Sequence, residues 1–417
     1  MKIYELRHDN ELVMFLEIDE NYRVCGIGGI SNKNKIPIGL GKNNRIDSYD
    51  MNEWVMTRSI PAKREGIDYI LEKENVNSVN ELIIKNNGLS MTDHYWIAEK
   101  DLPLRWEEIN YFENDERFGK LGDDIYIGIS QENVDQGRTP SSSASGMQPK
   151  MWVIYNDKRC LLKAAEEVTH QEPFSEYAAS LILDKLGIEH VEYKVVKRGD
   201  DILSICPSML DNQSELISAW YVCNEKKLNH ESNLDHYIRR CGELGIGGDI
   251  RTPLEQMIAV DYLIANTDRH WNNFSIIRNS KSLKGERLAP LYDHGAAFFT
   301  KNHHLEMINK NENLECRSFR KKQEDNLKFV KNADWLKKDV LNDIPDIVRD
   351  VMKNNPFGSI KRTDTIISCI RYRIMNFRIK MGIPARITTF QESGLSKNNS
   401  AAKPGKNKKD PDYDYGR

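Results

Sequence analysis

The chain has 417 residues, and its 60 Lys and Arg stand against 63 Asp and Glu, which gives a formal net charge of −3. This near-balance excludes a strong overall attraction to nucleic acid or to a membrane surface. Charged residues make up 29% and aromatic residues 9% of the chain, which is ordinary for a soluble globular protein with room for two or three domains.

The seven cysteines are scattered along the chain and form no Cys-x-x-Cys pair. An odd, unclustered set argues against both a disulfide framework and a zinc site. The first eight residues carry no apolar signal core, and no stretch approaches the roughly 20 apolar residues that a membrane span needs. We therefore expect a cytoplasmic protein without a membrane segment.

Residues 1–115 are predicted to form an accessory subdomain of α/β type. The first 50 residues alternate polar and apolar positions between Gly- and Asn-rich turns, which predicts a small β-meander. The three glycines within 26–29 are interpreted as a turn, since no helix-forming segment follows them as a dinucleotide fingerprint requires. Ser78 and Glu81 form a capping box and Gly88 a C-terminal cap, so a helix is predicted between them.

Residues 116–205 are predicted to form a β-rich lobe. A Ser-, Gly- and Pro-containing loop, 141–150, precedes a hairpin with its turn at 156–157. Pro173 suits the first turn of a helix that ends at Gly187. The predicted strands of this lobe are 151–155, 159–163, 191–196 and 202–205.

Residues 206–388 are predicted to form a mainly helical lobe, with 206–209 near the hinge between the two lobes. Apolar residues at helical spacing predict a helix over 254–265. Residues 389–417 are rich in Ser, Asn, Lys, Gly and Pro and lack a periodic apolar pattern, which predicts a disordered tail. Two short strands are also predicted in this lobe, over 274–277 and 287–292.

The most informative segment follows the predicted helix. Asp268 and Asn273 stand five residues apart, and Asp293 begins an Asp-x-Gly sequence beyond the two short strands. This is the spacing of a protein-kinase catalytic loop and metal-binding segment. Asp268 would hold the acceptor hydroxyl, while Asn273 and Asp293 would be oxygen ligands for Mg²⁺ on nucleotide phosphates. The alternative is that Asp268 and Asn273 only cap and turn a surface hairpin.

Several segments also carry a resemblance to a known family. They are a core motif at 263–275 with 290–293, a Ser-x-Ser-Gly-x-Gln-x-Lys phosphate loop at 143–150, and a lysine-bearing strand at 160–163. On these residues the chain resembles the HipA-like serine/threonine kinases, a family that contains the toxin kinases of bacterial toxin–antitoxin pairs. The resemblance implies an α+β, two-lobed protein-kinase-like fold with a β-rich N-lobe, a mainly helical C-lobe and an extra N-terminal α/β subdomain.

The resemblance also implies roles for individual residues. Lys163 would bind the nucleotide phosphates, and Glu176 would be its ion-pair partner, although an acid early in a helix also favours that position through the macrodipole. Asn266 and His270 are expected to brace the catalytic loop, and His294 replaces the aromatic residue of an Asp-Phe-Gly motif. The expected ATP-binding residues are Lys163, Ser143, Ser145, Gly146, Gln148, Glu176 and Met209.

The serine-rich loop has a further implied role. In the resembling family its serines are autophosphorylated, which expels the loop and silences the kinase. Ser143 and Ser145 are the residues expected to be modified here. The alternative is that this segment is a plain flexible linker.

The sequence therefore predicts an ATP- and Mg²⁺-dependent serine/threonine protein kinase. By resemblance, its substrate would be a translation factor such as an aminoacyl-tRNA synthetase, and a helix-turn-helix antitoxin would be a partner; direct nucleic-acid binding is not expected. One alternative is a small-molecule kinase of the aminoglycoside or choline type, which shares the Asp-x4-Asn and later Asp but is disfavoured by the serine-rich loop. Another is an inactive kinase-fold binding module that acts with a helix-turn-helix antitoxin.

Overall fold

The computed structural model describes residues 1–41, 46–59, 61, 67–115, 118–120, 150–165, 169–198 and 201–384. Contacts divide the chain into two units, Met1–Ile383 and Pro384–Arg417. Apart from Pro384, the second unit lies outside the described residues, and so does the tail predicted from residue 389.

The described strands are β1 (Lys2–His8), β2 (Glu11–Ile18), β3 (Val24–Ile30), β4 (Tyr95–Glu99), β5 (Gly119–Lys120), β6 (Lys150–Tyr155), β7 (Lys158–Ala164), β8 (Lys194–Arg198), β9 (Asp201–Pro207), β10 (Ser214–Ser218), β11 (Ser275–Asn279) and β12 (Gly285–Leu288). The described α-helices are α1 (Ser48–Met56), α2 (Ile67–Lys73), α3 (Val79–Lys85), α4 (Trp106–Ile109), α5 (Glu172–Leu186), α6 (Ala219–Val222), α7 (Asn233–Glu243), α8 (Arg251–Leu263), α9 (His304–Lys310), α10 (Gln323–Asn326), α11 (Val340–Met352) and α12 (Ile360–Lys380). No described helix combines the length and the apolar character that a bilayer-spanning segment requires.

The N-terminal part is built on an antiparallel sheet with strand order β3-β2-β1-β4. Its first three strands form the predicted meander. The predicted cap of α3 is also present, because the Ser78 side chain accepts a hydrogen bond from the backbone N–H of Glu81. Gly88 follows this helix with a φ of 56°, a left-handed conformation that suits glycine.

The prediction of a turn at the glycines of 26–29 is wrong, because these residues lie inside β3. Strand β3 pairs with β2 through an irregular register, with a shift between Met14 and Leu16. At this shift a Cβ on Gly28 would lie 2.9 Å from the Cβ of Phe15. Gly28 therefore permits close approach of β3 to β2, which is a second use of glycine in a sheet besides turning the chain.

The next part is a five-stranded sheet of order β5-β6-β7-β9-β8 with α5 packed against it. The β6–β7 hairpin forms where the alternating pattern predicted it, and its register pairs Lys150 with Lys163. Helix α5 has Pro173 in its first turn and ends at Gly187, whose φ is 71°. Both helix boundaries agree with the sequence signals.

Helices outnumber strands in the remaining described chain, and the strands there form a small sheet of order β10-β11-β12. The predicted apolar helix is α8. Strand β12 ends at Leu288, so the prediction of a strand as far as Tyr292 is wrong. Pro290 has no N–H to donate to a ladder, and Leu291 forms only an isolated parallel bridge with His190.

Buried charges join the N-terminal sheet to the sheet of β10 and β11. Glu215 in β10 is fully buried, and one of its carboxylate oxygens lies 2.9 Å from Nε2 of His8 in β1. The other oxygen accepts a hydrogen bond from Nε of Arg278 in β11, which is also buried. The mixed α/β class and the order of a β-rich part before a mainly helical part agree with the prediction, while the domain boundaries at 115, 205 and 388 stay predictions.

Candidate active site

Helix α8 ends in a buried acid that organises the loop after it. Asp261 accepts a hydrogen bond from Nδ2 of Asn266 at 2.8 Å, and it receives two from Arg269, at 2.8 Å from Nε and 3.1 Å from Nη2. Arg269 is 1% exposed. Burial by itself lowers the pKa of this guanidinium, but the neighbouring Asp261 carboxylate raises it above the ordinary value. Arg269 is therefore a cation that is closed off from water.

Arg269 also connects two segments that are distant in sequence. Its Nη1 donates to the backbone carbonyl of Asn273 and, at 2.7 Å, to that of Tyr292. The first carbonyl lies at the end of the catalytic-loop motif, and the second directly precedes Asp293. One buried side chain thus holds together the three parts of the predicted site: the end of α8, the loop and the Asp-x-Gly segment.

The catalytic-loop motif leaves the carboxylate of Asp268 without a partner among the described residues. Nδ2 of Asn273 donates to the backbone carbonyl of Asp268 at 2.9 Å, and the backbone N–H of Asn273 donates to His270 at 2.8 Å. The half-buried carboxylate of Asp268 makes no hydrogen bond or ion pair with any described residue. A capping aspartate accepts a nearby backbone N–H, so the geometry disfavours the view that Asp268 serves only as a cap.

Asp293 forms an ion pair with Lys163 of β7. Nζ of Lys163 lies 2.9 Å from Oδ1 of Asp293 and 2.7 Å from Oε1 of Glu176 in α5. The Lys163 side chain is 5% and the Glu176 side chain 0% exposed, whereas that of Asp293 is 32% exposed. Glu176 is held in turn by the hydroxyl of Ser204. The network therefore has a buried end at Glu176 and an open end at Asp293.

The charges of this network reinforce one another. Burial favours the neutral form of Asp293, but Lys163 and then Lys150 outweigh it and hold the pKa of this carboxyl well below its ordinary value. Burial likewise lowers the pKa of Lys163, but Asp293 and Glu176 outweigh it and raise that pKa well above the ordinary value. Burial raises the pKa of Glu176. Asp293 is thus an anion and Lys163 a cation throughout the neutral range.

Lys150 and Lys163 lie on the same face of the five-stranded sheet. Lys150 and Lys163 are register partners on antiparallel strands, so their side chains leave the same face of the sheet. Like charges in directly opposite positions destabilise a sheet unless an anion lies between or beside them. Asp293 supplies such an anion, because the charges of both lysines act on its carboxylate.

Backbone strain accompanies both motif segments. Ala265, just before the loop, has a φ of 55°, and Asp293 has a φ of 61°. A residue with a side chain held in this left-handed region costs on the order of 1–3 kcal/mol and persists only where surrounding contacts enforce it. Beside Ala265, the backbone N–H of Asn266 donates to the carbonyl of Asp261 at 2.9 Å. Beside Asp293, Arg269 donates to the carbonyl of Tyr292 and Lys163 donates to the Asp293 carboxylate.

His294 occupies the position of the aromatic residue in Asp-Phe-Gly. Its side chain is 1% exposed, and its Nε2 has no hydrogen-bond partner among the described residues. Burial, together with the charge of Arg269, lowers the pKa of this imidazole well below its ordinary value. His294 is therefore a neutral, buried ring.

The other predicted residues lie as follows. Asn266 is buried against Asp261, and its carbonyl accepts a hydrogen bond from Gln323. His270 is half-buried, and its Nδ1 lies 3.2 Å from the backbone nitrogen of Asn272. Met209 is half-buried after β9, against a cluster that contains Tyr193. Ser143, Ser145, Gly146 and Gln148 lie outside the described residues.

Sequence reasoning missed four residues of this arrangement: Asp261, Arg269, Lys150 and Tyr193. Asp261 had a visible signal, because it is an acid within the apolar run that predicted α8. Arg269 and Lys150 stood inside the quoted motifs but received no role. Nothing in the sequence marked Tyr193 as part of the site. Its hydroxyl lies 3.5 Å from Nζ of Lys163 and 3.3 Å from the backbone nitrogen of Asp293.

The donor chemistry fits Mg²⁺ held jointly with a polyphosphate. Among the described residues no group of three or more His, Cys, Asp and Glu is arranged to hold a metal ion by itself. Mg²⁺ is usually bound through one or two carboxylates plus substrate phosphates, with water completing its shell. Asp293 and the amide of Asn273 supply oxygen ligands of that kind, and the lysine pair supplies the cations that phosphates need.

Comparison with known proteins places the chain in a family. The sequence profile described as the HipA-like C-terminal domain matches residues 142–354, which is just over half of the 417 residues. The chain therefore belongs to the HipA-like C-terminal domain family, as its motifs predicted. No curated protein matches the chain significantly.

Two solved structures are distantly similar. The proinflammatory kinase CtkA of Helicobacter pylori is 19% identical, with a TM-score of 0.45, over 56% of this chain and 94% of that chain. The toxin–antitoxin protein HipA of Shewanella oneidensis, in a complex with HipB and its operator DNA, is 13% identical, with a TM-score of 0.48, over 89% of this chain and 97% of that chain.

Proposed function

We propose that this chain is an ATP- and Mg²⁺-dependent serine/threonine protein kinase. The observation that carries the proposal is the convergence of three separate segments. Arg269 joins the loop of Asp268 and Asn273 to the segment before Asp293, and Lys163 contacts Asp293 at 2.9 Å. Phosphoryl transfer depends mainly on positioning and on stabilising charge, so such a preorganised set of groups is what the reaction requires.

Each residue has a distinct role in the proposal. Lys163 and Lys150 bind the nucleotide phosphates, and Glu176 keeps Lys163 in place from its buried side. Asn273 and Asp293 would hold Mg²⁺, which, when bound, neutralises charge on the phosphates. Asp268 accepts a hydrogen bond from the acceptor hydroxyl and takes its proton as the phosphoryl group moves. The lack of any partner for Asp268 among the described residues supports this last role.

The serine-rich loop is proposed as a self-control device. Ser143 and Ser145 are the proposed autophosphorylation sites. A phosphate adds nearly two negative charges, and like charges would repel the nucleotide's phosphates from a loop that must close over them. Autophosphorylation would then reduce ATP affinity and silence the enzyme.

The proposed substrate is a protein, namely a translation factor such as an aminoacyl-tRNA synthetase, and the proposed partner is a helix-turn-helix antitoxin. Membership of the HipA-like family supports both. The Shewanella HipA was solved together with HipB and operator DNA, which is the kind of assembly proposed here.

The test is to incubate the purified chain with Mg²⁺ and radiolabelled ATP and to map phosphate by mass spectrometry. Asp268→Asn should lower the rate of transfer about 10²–10⁴-fold, the usual contribution of a positioned acid or base. Asp364→Asn is the matched control, since Asp364 is an exposed aspartate on α12, outside the proposed site. A folded Asp268→Asn protein with the wild-type rate would overturn the assignment.

Two other outcomes would replace the proposal. Phosphate transferred to an aminoglycoside or to choline, with none on protein, would identify a small-molecule kinase. A wild-type chain that forms no phosphoprotein but copurifies with a DNA-binding partner would be an inactive binding module.

A further inference from the structure

A positively charged hairpin lies beside the catalytic loop. We define this basic hairpin as residues 314–322. Its two ends are joined by backbone hydrogen bonds from Cys316 to Lys321 at 2.8 Å and from Gln323 to Leu314 at 3.0 Å. Its exposed cationic residues are Arg317, Arg320, Lys321 and Lys322.

The hairpin is fixed directly against the loop that carries Asp268. The backbone of Arg317 pairs with that of His270 in an isolated parallel bridge, two residues beyond Asp268. Phe319, at the tip of the hairpin, is 3% exposed and packs edge-on against Trp271 with ring centroids 5.5 Å apart. The charged side of the hairpin is therefore anchored next to the acceptor position of the proposed reaction.

Buried hydrogen bonds also hold the hairpin. The buried amide of Asn326 donates to the carbonyls of Arg320 at 2.9 Å and Lys322 at 3.0 Å, and it accepts from the N–H of Arg320 at 3.0 Å. Beneath the hairpin lies a cavity of only about 10 Å³, bounded on its other side by Asp261, Asn266 and Arg269. A space of that size holds about one water molecule. The hairpin thus rests on the same buried charges that hold the catalytic loop.

Part of the positive charge has no acidic partner within the described chain. Lys321 pairs with Glu315 at 3.2 Å, and Lys322 donates to the neutral amide of Asn313 at 3.4 Å. Arg320 lies over the ring of Phe329 at 4.8 Å, while Arg317 makes no side-chain hydrogen bond or ion pair with a described residue. The acids nearby are engaged elsewhere: Glu312 by Tyr372, Glu324 by Tyr262 and Lys380, and Asp325 by Lys328.

We propose that the basic hairpin recognises acidic side chains that flank the acceptor serine or threonine of the protein substrate. Arg317 is the specificity-determining contact, with Arg320 beside it. The proposal rests on the proposed kinase function and names the substrate class for that same site. The planar guanidinium of arginine binds a carboxylate through two parallel hydrogen bonds, which suits selection of Glu and Asp.

A peptide fits this surface better than a nucleic acid does. Two arginines without acidic partners on a nine-residue hairpin match one or two carboxylates of an extended substrate. Nucleic-acid binding draws its affinity from many phosphate contacts spread along a backbone. The whole chain has a net charge of −3, which opposes such long-range attraction.

The test uses two synthetic peptides that differ only beside one central serine: one has Glu at the flanking positions and the other has Gln. The readout is the ratio of kcat/KM for the Glu peptide to that for the Gln peptide. The wild-type chain should prefer the Glu peptide, and Arg317→Ala with Arg320→Ala should reduce the ratio about tenfold. The preference should also weaken in high salt, because exposed charges are screened.

Two further variants sharpen the test. Arg317→Glu should prefer a peptide with Lys at the flanking positions, a reversal that a general folding defect would not produce. Arg23→Ala is the matched control, because Arg23 is an exposed arginine of the N-terminal part, before β3. It should keep the wild-type ratio.

A second readout separates this proposal from the kinase proposal. Binding of a fluorescein-labelled Glu peptide is measured by anisotropy without ATP, for the wild-type chain and for Arg317→Ala. If no phosphate is transferred but Arg317 still governs peptide binding, the kinase proposal fails and the recognition surface stands. If the wild-type chain transfers phosphate at equal rates to the Glu and Gln peptides, the proposed recognition surface is refuted and the kinase proposal is not. The proposed recognition surface would also be overturned if Arg317→Ala lost affinity for single-stranded RNA but kept its affinity for the Glu peptide.

Discussion

Replacing Arg269 by Met is the sharpest test of how the site is held together. Methionine has a similar length and suits a buried position, but it supplies none of the guanidinium's hydrogen bonds. The substitution removes two bonds to Asp261 and one each to the carbonyls of Asn273 and Tyr292. It leaves the buried Asp261 carboxylate with only Asn266 as a side-chain donor among the described residues.

The expected cost follows from the burial of both charges. Breaking a buried ion pair by removing one partner costs about 3–5 kcal/mol, because an uncompensated charge stays in the interior. That is a large part of the roughly 5–15 kcal/mol by which folded domains are stable. Arg269→Met with Asp261→Leu removes both charges together. The double variant should therefore recover the part of the loss that comes from the uncompensated Asp261 charge. It still leaves the carbonyls of Asn273 and Tyr292 and the amide of Asn266 without their partners, which costs about 1–3 kcal/mol for each buried group.

The assay is urea unfolding followed by tryptophan fluorescence, with phosphoryl transfer measured on the same samples. The single variant should lose stability, and the double variant should be more stable than the single variant but less stable than the wild type. Both should lose transfer, because neither restores the link between the carbonyls of Asn273 and Tyr292. A single variant within about 1 kcal/mol of the wild type, or a double variant with full activity, would refute the reasoning.

The remaining predictions concern the nucleotide, the serine loop and pH. Lys163→Ala should weaken ATP binding far more than adenosine binding in calorimetric titrations; equal losses would point to misfolding. Joint replacement of Ser143 and Ser145 by Ala should prevent the decay of ATP affinity during incubation with Mg²⁺-ATP, and undiminished ATP binding by fully loop-phosphorylated protein would exclude the mechanism. Burial raises the pKa of Glu215, but Arg278 and His8 outweigh it and lower that pKa to about 2. A depressed carboxyl pKa stabilises the fold above about pH 4 and loses that effect as the pH falls toward 2. Unfolding free energies measured from pH 7 to pH 3 should therefore show on the order of 2–3 kcal/mol of acid loss that Glu215→Gln lacks.

The motif residues were predictable because their spacing in the chain reflects the chemistry directly. Asp268 and Asn273 sit on one short loop, so no knowledge of the fold is needed to place them near each other. Lys163 and Glu176 lie on β7 and α5, which follow each other in the chain, and the hairpin and helix signals around them were strong. Their functional roles stay predictions until transfer is measured.

The residues that escaped prediction depend on contacts between distant segments. The bond from Arg269 to Tyr292 spans 23 positions, and the contact from Lys163 to Asp293 spans 130. An arginine inside a polar motif resembles a surface residue until the fold shows it to be buried. Gly28 of β3 was misassigned for the same reason, because its requirement comes from Phe15 on the neighbouring strand.

The buried charges explain how the site can be strained before any ligand binds. Ala265 and Asp293 both adopt left-handed backbone conformations, at φ of 55° and 61°, and a folded chain keeps such conformations only where its contacts enforce them. The carbonyl of Asp261 accepts the backbone N–H of Asn266 beside Ala265, while Arg269 and Lys163 hold the chain at Tyr292 and Asp293. Gln323 extends the same network, since it donates to the carbonyl of Asn266 and directly follows the basic hairpin. The groups proposed to bind the phosphates, the acceptor hydroxyl and the acidic flank of the substrate therefore rest on one buried support. A substitution in that support should alter substrate preference and catalytic rate together, whereas Arg317→Ala should alter preference first.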